Sequence, residues 1–136
     1  MQKKGYKFLE HTADVMVCAW GENFCEAIEQ VSYAMFETLG ATKGACPSSF
    51  FLVEETSDYQ NELIVNFFSS IISNYEMLDV LPCDIKIAPN SDFKHINAKV
   101  FYCKNRPSLQ IKAVTYHQLK CWVEKNTTYV QVLFDI

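Results

Sequence analysis

Two aspartates, one near each end of the chain, are the residues whose types and surroundings could do chemistry. Asp14 lies in residues 8–15 and Asp135 in residues 133–136, each within a β-favouring run that is rich in apolar side chains. An ionised carboxylate beside a sheet core is costly unless a cation or several donors compensate for its charge. If the fold brings the first and last strands together, the two carboxylates would make a small, oxygen-rich site suited to Ca²⁺ or Mg²⁺.

The residues alone leave a second interpretation of these aspartates open. Each could be a strand-end residue that faces water, or a turn former whose carboxylate accepts backbone N–H bonds.

Length and composition predict a single domain, residues 1–136, with one hydrophobic core. Hydrophobic residues make up 49% and charged residues 21%, which is ordinary for a globular chain, and ten Phe and seven Tyr favour a sheet-rich fold. The formal net charge of −4 and the pI near 5.3 argue against strong direct binding of nucleic acid, which needs a basic patch. No apolar run is long enough to span a membrane.

Six cysteines are spread along the chain, and no two of them have the C-x-x-C spacing of a zinc or redox motif. The sequence opens on Met1-Gln2-Lys3-Lys4-Gly5 without an apolar signal region. We therefore expect reduced thiols in a cytoplasmic, or alternatively nuclear, protein.

The segment around Asp14 is predicted to be extended from residue 6 to residue 20, as one long strand or two short strands broken near residues 11–13. Asn23 and Glu26 form a capping-box-like signal for the start of a helix, and Gly40 supplies its end. Ser57 and Gln60 predict the start of a second helix, which carries an apolar stripe suited to packing on a sheet.

The rest of the chain is predicted to be strands. Alternating patterns and turn residues place these strands at residues 50–53, 83–87, 97–103, 109–117, 119–124 and 129–136. The late connections are too short for helical crossovers. The predicted fold is therefore α+β, with two helices layered on one face of a mostly antiparallel sheet of about seven or eight strands.

Four stretches, in order along the chain, resemble the archease family. They are residues 8–15 (FLEHTADV), Gly21-Glu22 with the helix through residues 34–36, residues 111–117 (IKAVTYH), and residues 134–136 (FDI) at the end. Three features depart from the family pattern: Met16, the short turn at residues 104–108, and a final strand that lacks the usual Trp and Arg.

The resemblance implies a role as a non-catalytic activator of an RtcB-type RNA ligase in tRNA splicing, which promotes guanylylation and multiple turnover of the ligase. It also implies a divalent cation, Ca²⁺ or Mg²⁺, held by Asp14, Asp135 and the backbone oxygen of Ile136. Because Ca²⁺ takes about 6–8 oxygen ligands, water or a partner would have to complete the coordination.

Four residues within the same motifs are candidates for contacting the partner or for holding the ligands of the ion in place: Glu10, His11, Thr12 and Lys112. His11 could instead fix the strand break by a hydrogen bond to its own backbone or to Thr12, and Lys112 could be a solvated edge-strand lysine. The alternative function is a metal-dependent hydrolase or nuclease that uses the same aspartates, although two-metal chemistry usually needs more acidic ligands. A third possibility is a general chaperone or scaffold in which an ion has no defined role.

Overall fold

The computed structural model describes residues 3–42 and 44–136. It contains two helices and seven strands, which confirms the predicted α+β class. In chain order these are β1 (Gly5–Leu9), β2 (Asp14–Gly21), α1 (Phe24–Leu39), β3 (Ser49–Thr56), α2 (Gln60–Leu78), β4 (Leu81–Ile87), β5 (His95–Cys103), β6 (Ala113–Glu124) and β7 (Thr127–Asp135).

The strands divide into two antiparallel sheets, whereas the sequence predicts a single sheet of about seven or eight strands. A four-stranded sheet has the order β1-β2-β7-β6, and a three-stranded sheet has the order β3-β5-β4. Helix α1 packs on β2 and β4, while α2 packs on β6 and β3, so each helix contacts both sheets. One apolar core therefore includes residues from both helices and both sheets.

Helix α1 begins and ends where its local sequence signals predict. The Asn23 side chain accepts the Glu26 N–H at 2.8 Å, and the Glu26 carboxylate accepts the backbone N–H of Glu22 rather than that of Asn23, also at 2.8 Å. Gly40 ends the helix with φ of 103°, a left-handed conformation that suits glycine. The helix packs against β2, the strand that carries Asp14.

Two details of the predicted elements are wrong. Ser57 does not cap α2. The N-cap residue is Tyr59, whose side chain makes no capping hydrogen bond, and the Ser57 hydroxyl accepts the backbone N–H of Tyr59. Residues 109–117 and 119–124 are not two strands, because they contribute to one strand, β6, which starts only at Ala113. Between Thr115 and Lys120 the register of β6 shifts against β7, which is the irregularity that the sequence pattern had suggested was a strand break.

Among residues 3–42 and 44–136, neither helix combines the length and apolar character that crossing a membrane requires.

Candidate metal site where the second and last strands pair

The pairing of β2 with β7 brings the two ends of the sequence together. Asp14, the first residue of β2, lies directly opposite Asp135, the last residue of β7. On the other side of β7, Ala113 of β6 also lies opposite Asp135. Directly opposite residues in an antiparallel pair share one face of the sheet and have Cβ atoms about 4.5–5.5 Å apart. Both carboxylates therefore project from the same face of the sheet, where β2 begins and β7 ends.

The turn between β1 and β2 places His11 beside Asp14. Ala13 has φ of 66°, so the chain turns there through a left-handed conformation immediately before β2 begins. The predicted break near residues 11–13 is thus a real turn between two strands. It returns the chain on itself, so that the imidazole of His11 approaches the side chain of Asp14.

His11 has an unusual polar environment. Its Nδ1 atom lies 3.8 Å from the Asp14 Oδ2 atom, beyond hydrogen-bond distance, and the two side chains are only 24% and 27% exposed. Of the buried side-chain nitrogen and oxygen atoms in the described part of the chain, His11 Nδ1 is the one without a hydrogen-bond partner. Such an atom is costly to leave unpaired.

The last residues are anchored by the core and by the segment before β6. Ile136 is half-buried and packs against the hydrophobic core. The backbone N–H of Lys112 donates to the Asp135 carbonyl at 2.7 Å, while the rest of Lys112 is exposed. Lys112 therefore holds the backbone at Asp135 and leaves its ammonium group free to reach solvent or a partner. Glu10 and Thr12 are also exposed, on the turn.

Two opposed carboxylates are donors of the kind that a hard cation prefers. Like charges directly opposite each other on paired strands destabilise a sheet, and a cation between them removes that repulsion. Within the described ranges, no group of three or more His, Cys, Asp or Glu side chains is placed to hold a metal ion. Asp14, Asp135 and the carbonyl oxygen of Ile136 would supply fewer ligands than Ca²⁺ or Mg²⁺ requires, so water or a partner must provide the others.

A cavity of about 490 Å³ elsewhere in the molecule was not predicted from the sequence. In it the Tyr33 hydroxyl donates to Asp84 at 2.8 Å, and the Tyr6 hydroxyl donates to Glu37 at 3.0 Å. Burial, and then the bond to Asp84, raises the pKa of Tyr33 above its usual range. These partners are separated by 51 and 31 positions, and no local pattern pairs them.

Comparisons with known proteins place the whole arrangement in context. Residues 6–136 match the archease protein family (MTH1598/TM1083). Protein archease of Methanosarcina mazei is 28% identical over 99% of this chain and 98% of its own length, and Protein archease-like of Drosophila melanogaster is 26% identical over 96% and 90%.

Two solved structures have the same fold. The solution structure of protein 1598 of Methanobacterium thermoautotrophicum superimposes with a TM-score of 0.78 at 23% identity, covering 97% of this chain and 99% of that one. The crystal structure of a Thermotoga maritima archease, described as a possible chaperone, gives 0.71 at 21% identity, with 96% of both chains covered.

Proposed function

This chain belongs to the archease family, and from that premise we propose that it activates an RtcB-type RNA ligase in tRNA splicing without catalysing ligation itself. In this proposal it promotes guanylylation of the ligase and so allows multiple turnover. The observation that supports the proposal most is the direct opposition of two half-buried aspartates, Asp14 and Asp135, where β2 begins and β7 ends.

Each residue of the proposed site has its own role. Asp14 and Asp135 hold a divalent cation, Ca²⁺ or Mg²⁺, from two adjacent strands, and the backbone oxygen of Ile136 is the third ligand. When bound, the cation supplies concentrated positive charge and open coordination positions that a carboxylate or phosphate oxygen can occupy. The pairing of β2 with β7 sets the spacing of the two carboxylates, and His11 Nδ1, 3.8 Å from Asp14 Oδ2, would orient that carboxylate once a closer approach forms a hydrogen bond.

The surroundings of the site suit contact with a partner. Glu10 and Thr12 on the turn, and Lys112 before β6, are exposed around the two aspartates. These three residues have no role in the packed core, so they are free to contact the ligase.

Multiple-turnover ligation tests this function. A purified RtcB-type ligase, tRNA halves and GTP are combined with the wild-type protein, with Asp14→Asn, with Asp135→Asn, or with Glu124→Gln as a control that removes an exposed charge from the other end of β6. We expect stimulation by the wild type and the control, and loss of stimulation with both asparagine variants. Guanylylated ligase, measured in the same reactions, should fall in parallel.

Two outcomes would overturn the proposal. Equal stimulation by all four proteins would remove the aspartates from the mechanism. Cleavage of the RNA by this protein alone, lost in Asp14→Asn, would replace the activator with the metal-dependent nuclease.

A further inference from the structure

A pair of thiols lies in the three-stranded sheet, away from the proposed ion site. The Sγ atoms of Cys83 on β4 and Cys103 on β5 are 3.5 Å apart, although the two residues are separated by 20 positions. We propose that Cys83 and Cys103 are an oxidative modification site, at which a peroxide converts the two thiols into a reversible intramolecular disulfide.

The fold already holds the two sulfur atoms near each other, on adjacent strands. Leu81 lies opposite Cys103, and the register of β4 shifts between Pro82 and Asp84, so Cys83 lies in an irregularity next to the end of β5. A disulfide has an S–S length of about 2.05 Å, so the sulfur atoms must approach by roughly 1.5 Å. Rotation about the side-chain bonds of two residues on adjacent strands can supply that movement without separating the strands.

Access to the pair is one-sided, which sets the order of the reaction. Cys83 lines the cavity that also contains Tyr33 and Asp84, whereas Cys103 is only 9% exposed. Hydrogen peroxide therefore reaches Cys83 first. The Cys83 sulfur attacks one peroxide oxygen, which gives a sulfenic acid and releases water. Cys103 then attacks the Cys83 sulfur and displaces a second water, and both thiol protons leave in the two waters.

Burial makes this reaction dependent on pH. It raises the pKa of the Cys83 thiol to about 12, and contact with Cys103 adds to the effect. Since the thiolate is the reacting form, its fraction should rise about tenfold for each pH unit below that value. The pair should therefore stay reduced under mild conditions at neutral pH and oxidise progressively faster as the solution becomes more alkaline.

Cys46 provides the competing pairing. It is exposed, and its backbone carbonyl accepts the Cys103 S–H at 3.5 Å. The contact with Cys103 is made by the backbone of Cys46, whereas Cys83 approaches Cys103 with its sulfur atom. We therefore expect the disulfide to join Cys103 to Cys83 and not to Cys46.

Peptide mapping by mass spectrometry tests the modification. The full-length protein is treated with hydrogen peroxide at several pH values, blocked with an alkylating reagent and digested without reductant. We expect a cross-linked peptide pair containing Cys83 and Cys103, lighter than the sum of the two peptides by two hydrogen atoms and released by dithiothreitol. Its rate of formation should rise about tenfold per pH unit between about pH 7 and 9.

Variants separate this pair from general oxidation. Cys83→Ser and Cys103→Ser should abolish the cross-link, while Cys46→Ser and Cys121→Ser should leave it unchanged. Cys121 is a matched control because burial alone raises the pKa of its thiol, to about 11. A wild-type protein that keeps both thiols under excess peroxide even at about pH 9, or that links Cys103 to Cys46 instead, would overturn the proposal.

Discussion

Replacing Asp14 with asparagine should stabilise the protein when divalent cations are removed. In the cation-free protein, two carboxylates lie on directly opposite residues of paired strands, and Asp14→Asn removes one charge while keeping the shape of the side chain. The free energy of unfolding should therefore rise, although most substitutions at half-buried positions lower it.

The size of the effect follows from the spacing. If the two charges lie as close as the Cβ atoms of directly opposite residues, about 5 Å apart, they repel by at most about 3 kcal/mol at an effective dielectric constant of about 20. Asp14 is 27% exposed, so solvent screens part of this repulsion. We expect a net stabilisation of about 1 kcal/mol, which corresponds to a rise in Tm of roughly 4 °C for a domain of this size.

Adding Ca²⁺ should reverse the order of the two proteins. A ligand at 100 times its Kd stabilises the form that binds it by about 2.7 kcal/mol. The wild type should gain this stability, and Asp14→Asn should gain little or none. Thermal unfolding followed by circular dichroism, first in a chelator and then in excess Ca²⁺, measures both effects.

The control for Asp14→Asn is Glu124→Gln, which also removes one carboxylate. Glu124 is an exposed residue of the same sheet, at the end of β6 that is far from the two aspartates. Glu124→Gln should therefore change Tm little under either condition. If Asp14→Asn has a lower Tm than the wild type in chelator and gains the same stability from Ca²⁺, the opposed carboxylates do not form the site.

Three further predictions test other parts of the structure. His11→Ala should weaken Ca²⁺ binding roughly tenfold, as measured by calorimetry, whereas His11→Asn, which keeps an N–H donor, should retain part of the affinity. Equal Ca²⁺ affinities of the wild type and His11→Ala would exclude an orienting role for the imidazole. Burial raises the pKa of Tyr75 to about 12 from a usual value of 10, so its neutral form stabilises the fold fully below about pH 10 and less as the pH rises towards 12. Urea denaturation should show that loss, and Tyr75→Phe should lose less stability over the same range. Equal losses of unfolding free energy in the two proteins would contradict the raised pKa of Tyr75. Gly40→Ala should lower the free energy of unfolding by about 2 kcal/mol, because the glycine has φ of 103° and an added Cβ would clash with the Ser108 hydroxyl; an unchanged denaturation midpoint would refute this.

The parts of the fold that the sequence predicts well are those fixed by local interactions. Asn23, Glu26 and Gly40 determine the ends of α1 through bonds within a few residues, and each can be recognised without knowing the rest of the molecule. The class of the fold follows similarly, because short connections between late strands leave no room for crossover helices.

The continuity of β6 depends on contacts with β7, which local sequence patterns do not contain. Residues 116–119 lie between the paired positions Thr115 and Lys120, whose partners on β7 are only two residues apart. Gln118 has φ of 57°, and its carbonyl accepts a hydrogen bond from the Gln131 side chain at 2.9 Å. The sequence shows an interruption there, but only the partner strand makes it a bulge within one strand.

The sequence singles out the two aspartates and suggests that the ends of the chain meet, but it leaves their register undetermined. Asp14 and Asp135 are conspicuous in β-favouring runs, and the resemblance to a family gave them a shared role. Their exact opposition is a matter of strand register, which is set by the whole of β2 and β7. The unpaired His11 Nδ1 atom had no signal in the sequence, because it results from the turn at Ala13.

Direct titration of Ca²⁺ into the cation-free protein is the most immediate test of the central claim, that Asp14 and Asp135 together hold a divalent ion. Isothermal calorimetry of the wild type should show one ion per chain, with competition by Mg²⁺, and the heat of binding should disappear in Asp135→Asn. Absence of saturable binding to the wild type, or undiminished binding to Asp135→Asn, would contradict the account.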